Sequence, residues 1–304
     1  MTDPSCISKE DRESGALWGS MIGDAICLAP HWMYDPEEIE SQFGRLTDYA
    51  DPAPNKYHRG KKAGDFTHYG DQTLTLMQSI AAASGYSPTF FRSLWKEMWP
   101  IYDGYVDSAT KSTLRDGRGT SHDLAGASRI APILVRSREL ETDELLQAVR
   151  DQTSFTHGHP SVIDAAVYFA LAFRNVLDGK PLEDAITEAA DASYQSLDIP
   201  SILEEAKGDQ DLENREALKK RGIACDVQQA FPSTMYLLLK YSDNFEAAVE
   251  ENAMAGGDSA ARGMLLGMLL GAYHGIGAIP ERLVRGLSAY RSIDQWLRNV
   301  GEEE

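Results

Sequence analysis

The chain has 304 residues, 42% of them hydrophobic and 25% charged, enough to bury a sizeable core in one large domain or two small ones. Its 47 Asp and Glu against 29 Lys and Arg give a net charge of −18. That field repels phosphate backbones and excludes extended nucleic-acid binding, while leaving room for a small anionic ligand at a local site. Cys6, Cys27 and Cys225 are far apart and form no CxxC or zinc-type spacing, which points to a reducing, cytoplasmic setting.

In chain order, the polar opening MTDPSCISKEDRES shows no signal-peptide pattern, and residues 1–12 read as a tail before a folded domain over 13–300. ESGALWGSMIGDAI (13–26) has helical apolar spacing, with Gly15, Gly19 and Gly23 four apart and Asp24 near its end. Residues 43–69 read as a loop, with Pro52, Pro54, Gly44, Gly60 and Gly64 beside the basic Lys56, Arg59, Lys61 and Lys62. A helix is expected over 71–84, then TFFRSLWKEMWPIY, broken at Pro100. Further helices are expected over 143–155, 162–179 and 181–197. Residues 204–221 are mixed in charge and read as a solvated helix or an excursion. Helical patterns resume over 228–243, 244–256, 256–275 and 282–300. No run alternates with period two, so the expected class is all-α.

The 256–275 stretch, GGDSAARGMLLGMLLGAYHG, carries Gly263, Gly267, Gly271 and Gly275 on one stripe. Each glycine inside a helix costs roughly 1 kcal/mol relative to Ala, so something must approach that face closely. The apolar run over 264–279 falls short of the roughly 20 residues a membrane span needs, and it contains His274. A buried helix packed against the striped 13–26 helix follows, giving one compact single-domain bundle and no membrane partner.

Asp71 in YGDQT and Asp258 in GGDSA both follow Gly at an expected helix start. The routine reading is two N-caps. The sharper one is a convergent pair of carboxylates, suited to an anionic ligand or to a hard cation such as magnesium. Histidines gather in the same motifs: His31 in APHWMYD, His58 in KYHRG, His68 in THYGD, and His157 and His159 in FTHGHP. His68 is expected at the same loop mouth as Asp71, where Tyr69 and Trp32 would offer flat faces to a base or sugar. Gly119, Thr120 and Ser121 in DGRGTSHD form either a plain turn or one whose amides hold phosphate. No HExxH or GxSxG pattern exists.

Taken in order, GALWGSMIGDAI, YGDQT, GRGTSHDLAGASRIAPIL, FTHGHP and the long run from AFPSTMYLLLKYSD to GMLLGAYHG resemble the ADP-ribosylglycohydrolase family over nearly the whole chain. PHWMYDP, THYGDQT and GGDSAARG look most like the branch that contains the jellyfish lens J crystallins. The resemblance implies an all-α domain with a cleft at its helix ends. Typical members hold two magnesium ions there and hydrolyse an N- or O-glycosidic bond to ADP-ribose. Their Thr-Asp-Asp-Thr motif corresponds to Gly70, Asp71, Gln72 and Thr73 here, and their Gly-Asp-Thr-Asp-Thr to Gly257, Asp258, Ser259, Ala260 and Ala261. An acidic residue after the GDALG-type motif is replaced by His31.

Magnesium takes about six oxygen ligands, and two close dications need several carboxylates. Asp71 and Asp258 would therefore hold at most one mostly hydrated ion, with no metal an equal alternative. The expected function is hydrolysis of a glycosidic bond in a small molecule of ribose or phosphate character, at a metal-poor site. In that reading Asp71 and Asp258 supply charge and position water, and His31 or His68 acts as general acid or base. Asp24 orients a partner, and Arg262 neutralises a carboxylate or contacts phosphate. Trp32, Tyr69, Gln72, Gly119, Thr120, Ser121 and His157 line the ligand. The alternatives are a non-catalytic binding or structural relative, as a crystallin would be, and a different small-molecule enzyme such as an amidohydrolase.

Overall fold

The computed structural model describes residues 7–53, 57–136 and 140–301; Cys6, Pro54 and Lys56, named above, lie outside the described residues. Every regular element among the described residues is helical, and the isolated bridges Thr120–His157 and Asp123–Asp226 are single pairs. The first part of the chain forms α1 (Lys9–Ile26), α2 (Pro36–Phe43), α3 (His68–Ala83), α4 (Pro88–Met98) and α5 (Ser108–Asp116). Two short helices, α6 (Ala125–Ser128) and α7 (Ala131–Arg136), precede α8 (Thr142–Thr156), α9 (Pro160–Leu177), α10 (Leu182–Ala190) and α11 (Ile199–Gly208). The remainder is α12 (Asn214–Arg221), α13 (Val227–Lys240), α14 (Phe245–Ala255), α15 (Ser259–His274), α16 (Glu281–Gly286) and α17 (Tyr290–Gly301).

The two glycine stripes meet. A Cβ on Gly15, Gly19 or Gly23 would run into the carbonyl of Gly271, Gly267 or Gly263 respectively, and the three partners would do the same in return. The pairs run in opposite order, so α1 and α15 lie antiparallel with their backbones touching. Arg12 ties the far end by donating to the carbonyls of Ala272 at 3.1 Å and Tyr273 at 2.9 Å. Those acceptors belong to the last turn of α15, where helix carbonyls lack partners. Lys9–Arg12 is thus the first turn of α1, capped by the Ser8 hydroxyl, where the sequence reads as tail.

Other boundaries shift for local reasons. The expected 181–197 helix stops at Ala190 because Asp164 Oδ2 gathers the amides of Gln195, Ser196 and Leu197 at 2.9, 2.6 and 3.1 Å. A carboxylate offering bonds to three successive amides competes directly with the helix ladder. The charged 204–221 stretch is helical at both ends, as the close of α11 and as α12. α9, apolar and long enough to cross a bilayer by composition, is 72% buried in the fold.

Candidate functional site

The site is assembled where the turn after α1 meets the N-terminal ends of α3 and α15. Asp258 occupies the N-cap position of α15, yet its side chain does not cap. Oδ2 accepts from the Tyr69 hydroxyl at 3.3 Å, and Oδ1 lies 3.7 Å from His31 Nδ1. Both side chains are 0% exposed. A backbone strap fixes them: Trp32 N donates to Gly257 O at 2.8 Å, and Gly257 N donates to Met33 O at 2.6 Å. The strap holds Trp32 at φ +64°, a left-handed conformation rare for a bulky residue and often found at functional sites.

Burial sets the protonation here. It pushes Asp258 up to about 7, with Arg262 pulling down and Asp123 pushing further up. It drives His31 well below the ordinary histidine range, helped by His58, His68 and Arg262. A carboxyl that is about half protonated near neutral pH thus faces a neutral imidazole. Both ring nitrogens of His31, Nδ1 of His68 and Oδ1 of Asp258 have no hydrogen-bond partner among the described residues. Unsatisfied buried polar groups cost free energy, so their concentration in one place marks a site for a ligand or water.

Aromatic rings wall this cluster. Trp32 lies 4.3 Å from His31, and it meets Tyr57 at 4.7 Å and Tyr105 at 5.1 Å edge-on, centroid to centroid. His68 packs against Tyr105 at 5.5 Å, and its Nε2 lies 3.1 Å from Asp107 Oδ2. Asp107 also caps α5 through the Thr110 amide at 2.6 Å. Burial pushes the Asp107 carboxyl up, but His68, His157 and Thr110 together outweigh it and hold the group below the usual carboxylate range.

Asp71 points elsewhere. α3 begins just after its N-cap Thr67 because Asp24 grips that residue, accepting from its hydroxyl at 2.5 Å and its amide at 2.7 Å; the Thr67 hydroxyl then caps Tyr69 N at 3.1 Å. Burial, opposed by these Thr67 bonds, sets Asp24 at about 6. Asp71 follows Tyr69 by two positions, about 200° around the helix, and so leaves on nearly the opposite side. Its Oδ2 takes Lys61 Nζ at 2.6 Å and the Tyr102 hydroxyl at 2.6 Å. Asp71 is not the cap of α3, a place Thr67 takes, and its Oδ2 is engaged by the protein's own cation and hydroxyl. Burial raises its carboxyl, with Lys61 the main opposing influence.

Five further residues expected at the ligand have partners within the protein. Gln72 Oε1 accepts from Trp95 Nε1 at 2.8 Å and Arg129 Nη1 at 2.6 Å, while Nε2 donates to His68 O at 2.9 Å. Arg262 donates to Asn252 Oδ1 at 3.1 Å, Ile223 O at 3.1 Å and Gly256 O at 2.5 Å, so it braces the Asp258 turn while its charge opposes the rise of the Asp258 carboxyl. Gly119 gives its amide to Phe155 O at 2.8 Å and accepts from Gly158 N at 3.2 Å. That strap takes the amide expected to hold phosphate; Thr120 is exposed, and the Ser121 hydroxyl takes Asp123 N at 3.3 Å. His157 is buried with Nδ1 2.7 Å from the Thr156 hydroxyl, and burial, then Arg129, lowers it to about 3.

Sequence reasoning missed Asp107, Asp123, Tyr57, Tyr105 and Arg129 and left Lys61 among the loop charges. Asp107 had a readable signal, an Asp before Ser-Ala-Thr at a helix start.

The ADP-ribosylglycohydrolase family model matches residues 5–304. The chain belongs to the ADP-ribosylglycohydrolase family. It is 20% identical to crystallin J1A of Tripedalia cystophora over 328 residues, covering 96% of this chain and 97% of that protein. It is 25% identical to the ADP-ribosyl-[dinitrogen reductase] glycohydrolase of Rhodospirillum rubrum over 294 residues, covering 92% and 90%. A solved structure described as an ADP-ribosylglycohydrolase-related protein complex superposes with a TM-score of 0.72 at 22% identity, covering 96% of this chain and 98% of that one, which shows the shared all-α fold.

The ADP-ribosylglycohydrolase resemblance implies magnesium, and the residues present do not fit a dinuclear centre. Asp71 already faces an ammonium, Gln72 is a carboxamide turned into the core, and Ala260 and Ala261 are buried without donors. Among the described residues no group of three or more His, Cys, Asp or Glu is placed to hold a metal ion. A single ion bridging Asp71 and Asp258 would need Asp71 free, and its Oδ2 is taken by Lys61 and Tyr102.

Proposed function

We propose that this family member hydrolyses a glycosidic bond in a ribosyl or nucleoside-like small molecule, in a reducing, cytoplasmic setting, through protein side chains alone. The observation that carries this reading is the enclosed Asp258–His31 pair, with its unpartnered polar atoms behind an aromatic wall. Glycoside cleavage passes through an oxocarbenium-like state that needs a proton for the leaving group, an activated water and nearby negative charge. Asp258, at about 7, supplies the proton near neutral pH. The bond from the anomeric carbon to the leaving atom breaks, that atom takes the Asp258 proton, and water closes on the carbon. Asp123, whose charge Asp258 feels, accepts the proton from water. His68, oriented by Asp107, and neutral His31 hydrogen-bond the sugar, and Trp32 and Tyr105 stack on its base or ring. Asp24 and Asp71 position the α3 end that carries Tyr69.

The test is product analysis by chromatography on ADP-ribosylated compounds and nucleosides, with chelator present throughout. Wild type should turn over one of these classes, and Asp258→Asn should lose roughly 100-fold or more. The replacement of two motif acids by Gln72 and Ala260 favours the second reading, a non-catalytic binding or structural relative. A ligand that raises the melting temperature with no product formed would establish that reading instead.

A further inference from the structure

We propose that the Lys61 ammonium is the resident cation of the Asp71 carboxylate, built into the chain against the group that other family members offer to a metal. The inference concerns what occupies Asp71 and is independent of whether turnover occurs. Lys61 Nζ lies 2.6 Å from Asp71 Oδ2, in a pair whose side chains are only 18% and 17% exposed. The Tyr102 hydroxyl donates to the same oxygen at 2.6 Å, and the ammonium lies 5.8 Å from the Tyr102 ring centroid. One cation is thereby held by a carboxylate and an aromatic face in a setting that sheds most of its water, where a charge pair is strong and an unpaired charge expensive.

The surroundings are built to keep it there. The loop that carries Lys61 turns on itself, Lys61 N donating to His58 O at 3.2 Å, and Gly64 O anchors it by accepting from Ser288 N at 2.9 Å. Asp24, fully buried at the end of α1, feels the charge of Asp71. Two carboxylates so placed repel each other unless a cation compensates. The neighbouring position tells the same story. Where the family motif has a second Asp, Gln72 presents a neutral oxygen, and the guanidinium of Arg129 sits 2.6 Å from it. Removing one carboxylate and fixing two protein cations changes the charge balance in the direction that makes a divalent ion unnecessary. An ammonium supplies charge and hydrogen bonds to Asp71 but no Lewis acidity.

The experiment measures binding and stability. Mn²⁺ is titrated into wild type, Lys61→Met and the Lys61→Met/Asp71→Asn double variant, with electron paramagnetic resonance reporting bound metal and thermal unfolding run in parallel. Wild type should bind no Mn²⁺ at millimolar concentration and keep its melting temperature. Lys61→Met should melt several degrees lower and recover part of that loss with Mn²⁺, and the double variant should show no recovery. Stoichiometric Mn²⁺ binding by wild type would overturn the proposal. So would Lys61→Met melting with wild type, or a loss that Mn²⁺ leaves untouched, since Lys61 would then be an ordinary ion-pair residue. Lys61→Arg, which keeps the charge, should retain metal indifference; Mn²⁺ binding by that variant would also count against it.

Discussion

At the scale of single residues, Asp258 makes the most direct prediction. Its carboxyl stands at about 7 in the folded protein against an ordinary aspartate value of 3.8. The folded state therefore holds a proton that the unfolded state gives up, and stability falls as pH rises from about 4 to about 7. Below that window the penalty is absent, and above it the penalty is complete. Each tenfold difference in proton affinity between the two states is worth roughly 1.4 kcal/mol, so the whole amounts to a few kcal/mol at most. Asp258→Asn has no such titration, and Asp24, also raised, titrates in both proteins and cancels. Urea unfolding should show the variant gaining on wild type by about 1 kcal/mol or more between pH 4.5 and pH 8. A difference that stays flat would mean that Asp258 is not held as a buried, raised carboxyl.

At the scale of elements, the seam between α1 and α15 decides the sign of a substitution that helix propensity alone gets wrong. Gly267→Ala should gain about 1 kcal/mol as a helix former. Its new Cβ, however, would enter the carbonyl of Gly19, which is backbone and cannot swing aside. Overpacking of this kind costs typically 1–3 kcal/mol, and more against main chain, so a net loss of about 2 kcal/mol is expected in thermal unfolding. Gly208→Ala at the end of α11, where a Cβ meets open space, should be neutral or stabilising. The seam was legible because four-residue glycine spacing has few uses in a helix that is not a membrane span. The direction of Asp71 was not, because it depends on where α3 begins. That point is set by Asp24 gripping Thr67 from 43 positions away, which no local pattern reveals. Lys61 and Asp123 were hidden for a related reason: turns have no periodicity, so nothing in them says which side chains face inward. The Asp258 carboxylate was found, since a Gly-Gly-Asp before a helix is readable, but its failure to cap was not.

At the scale of the whole molecule, the site has no local owner. His31 and Asp258 are 227 positions apart, from the difference of their numbers, and Tyr69, Asp107 and Asp123 come from three other segments. What brings them together is contact between the first long helix and the last, fastened by Arg12 to Ala272 across 260 positions. Loss of that seam would release both the His31 turn and the Asp258 turn at once, because Trp32, Met33 and Gly257 exchange backbone bonds only while α1 and α15 stay in register. A protein of this size is free to unfold in stages, so cooperativity here is a consequence of topology that can be measured. Near-ultraviolet circular dichroism, taken as the difference from a Trp32→Phe variant because Trp18, Trp95, Trp99 and Trp296 also contribute, reports the aromatic wall of Trp32, Tyr57 and Tyr105, and far-ultraviolet dichroism reports the helices. The two should lose signal at one temperature in wild type, and at one lower temperature in Gly267→Ala. An aromatic signal that fades before the helices would show that the wall and the buried cluster form a separable cap, and that the seam supports the bundle without holding the site.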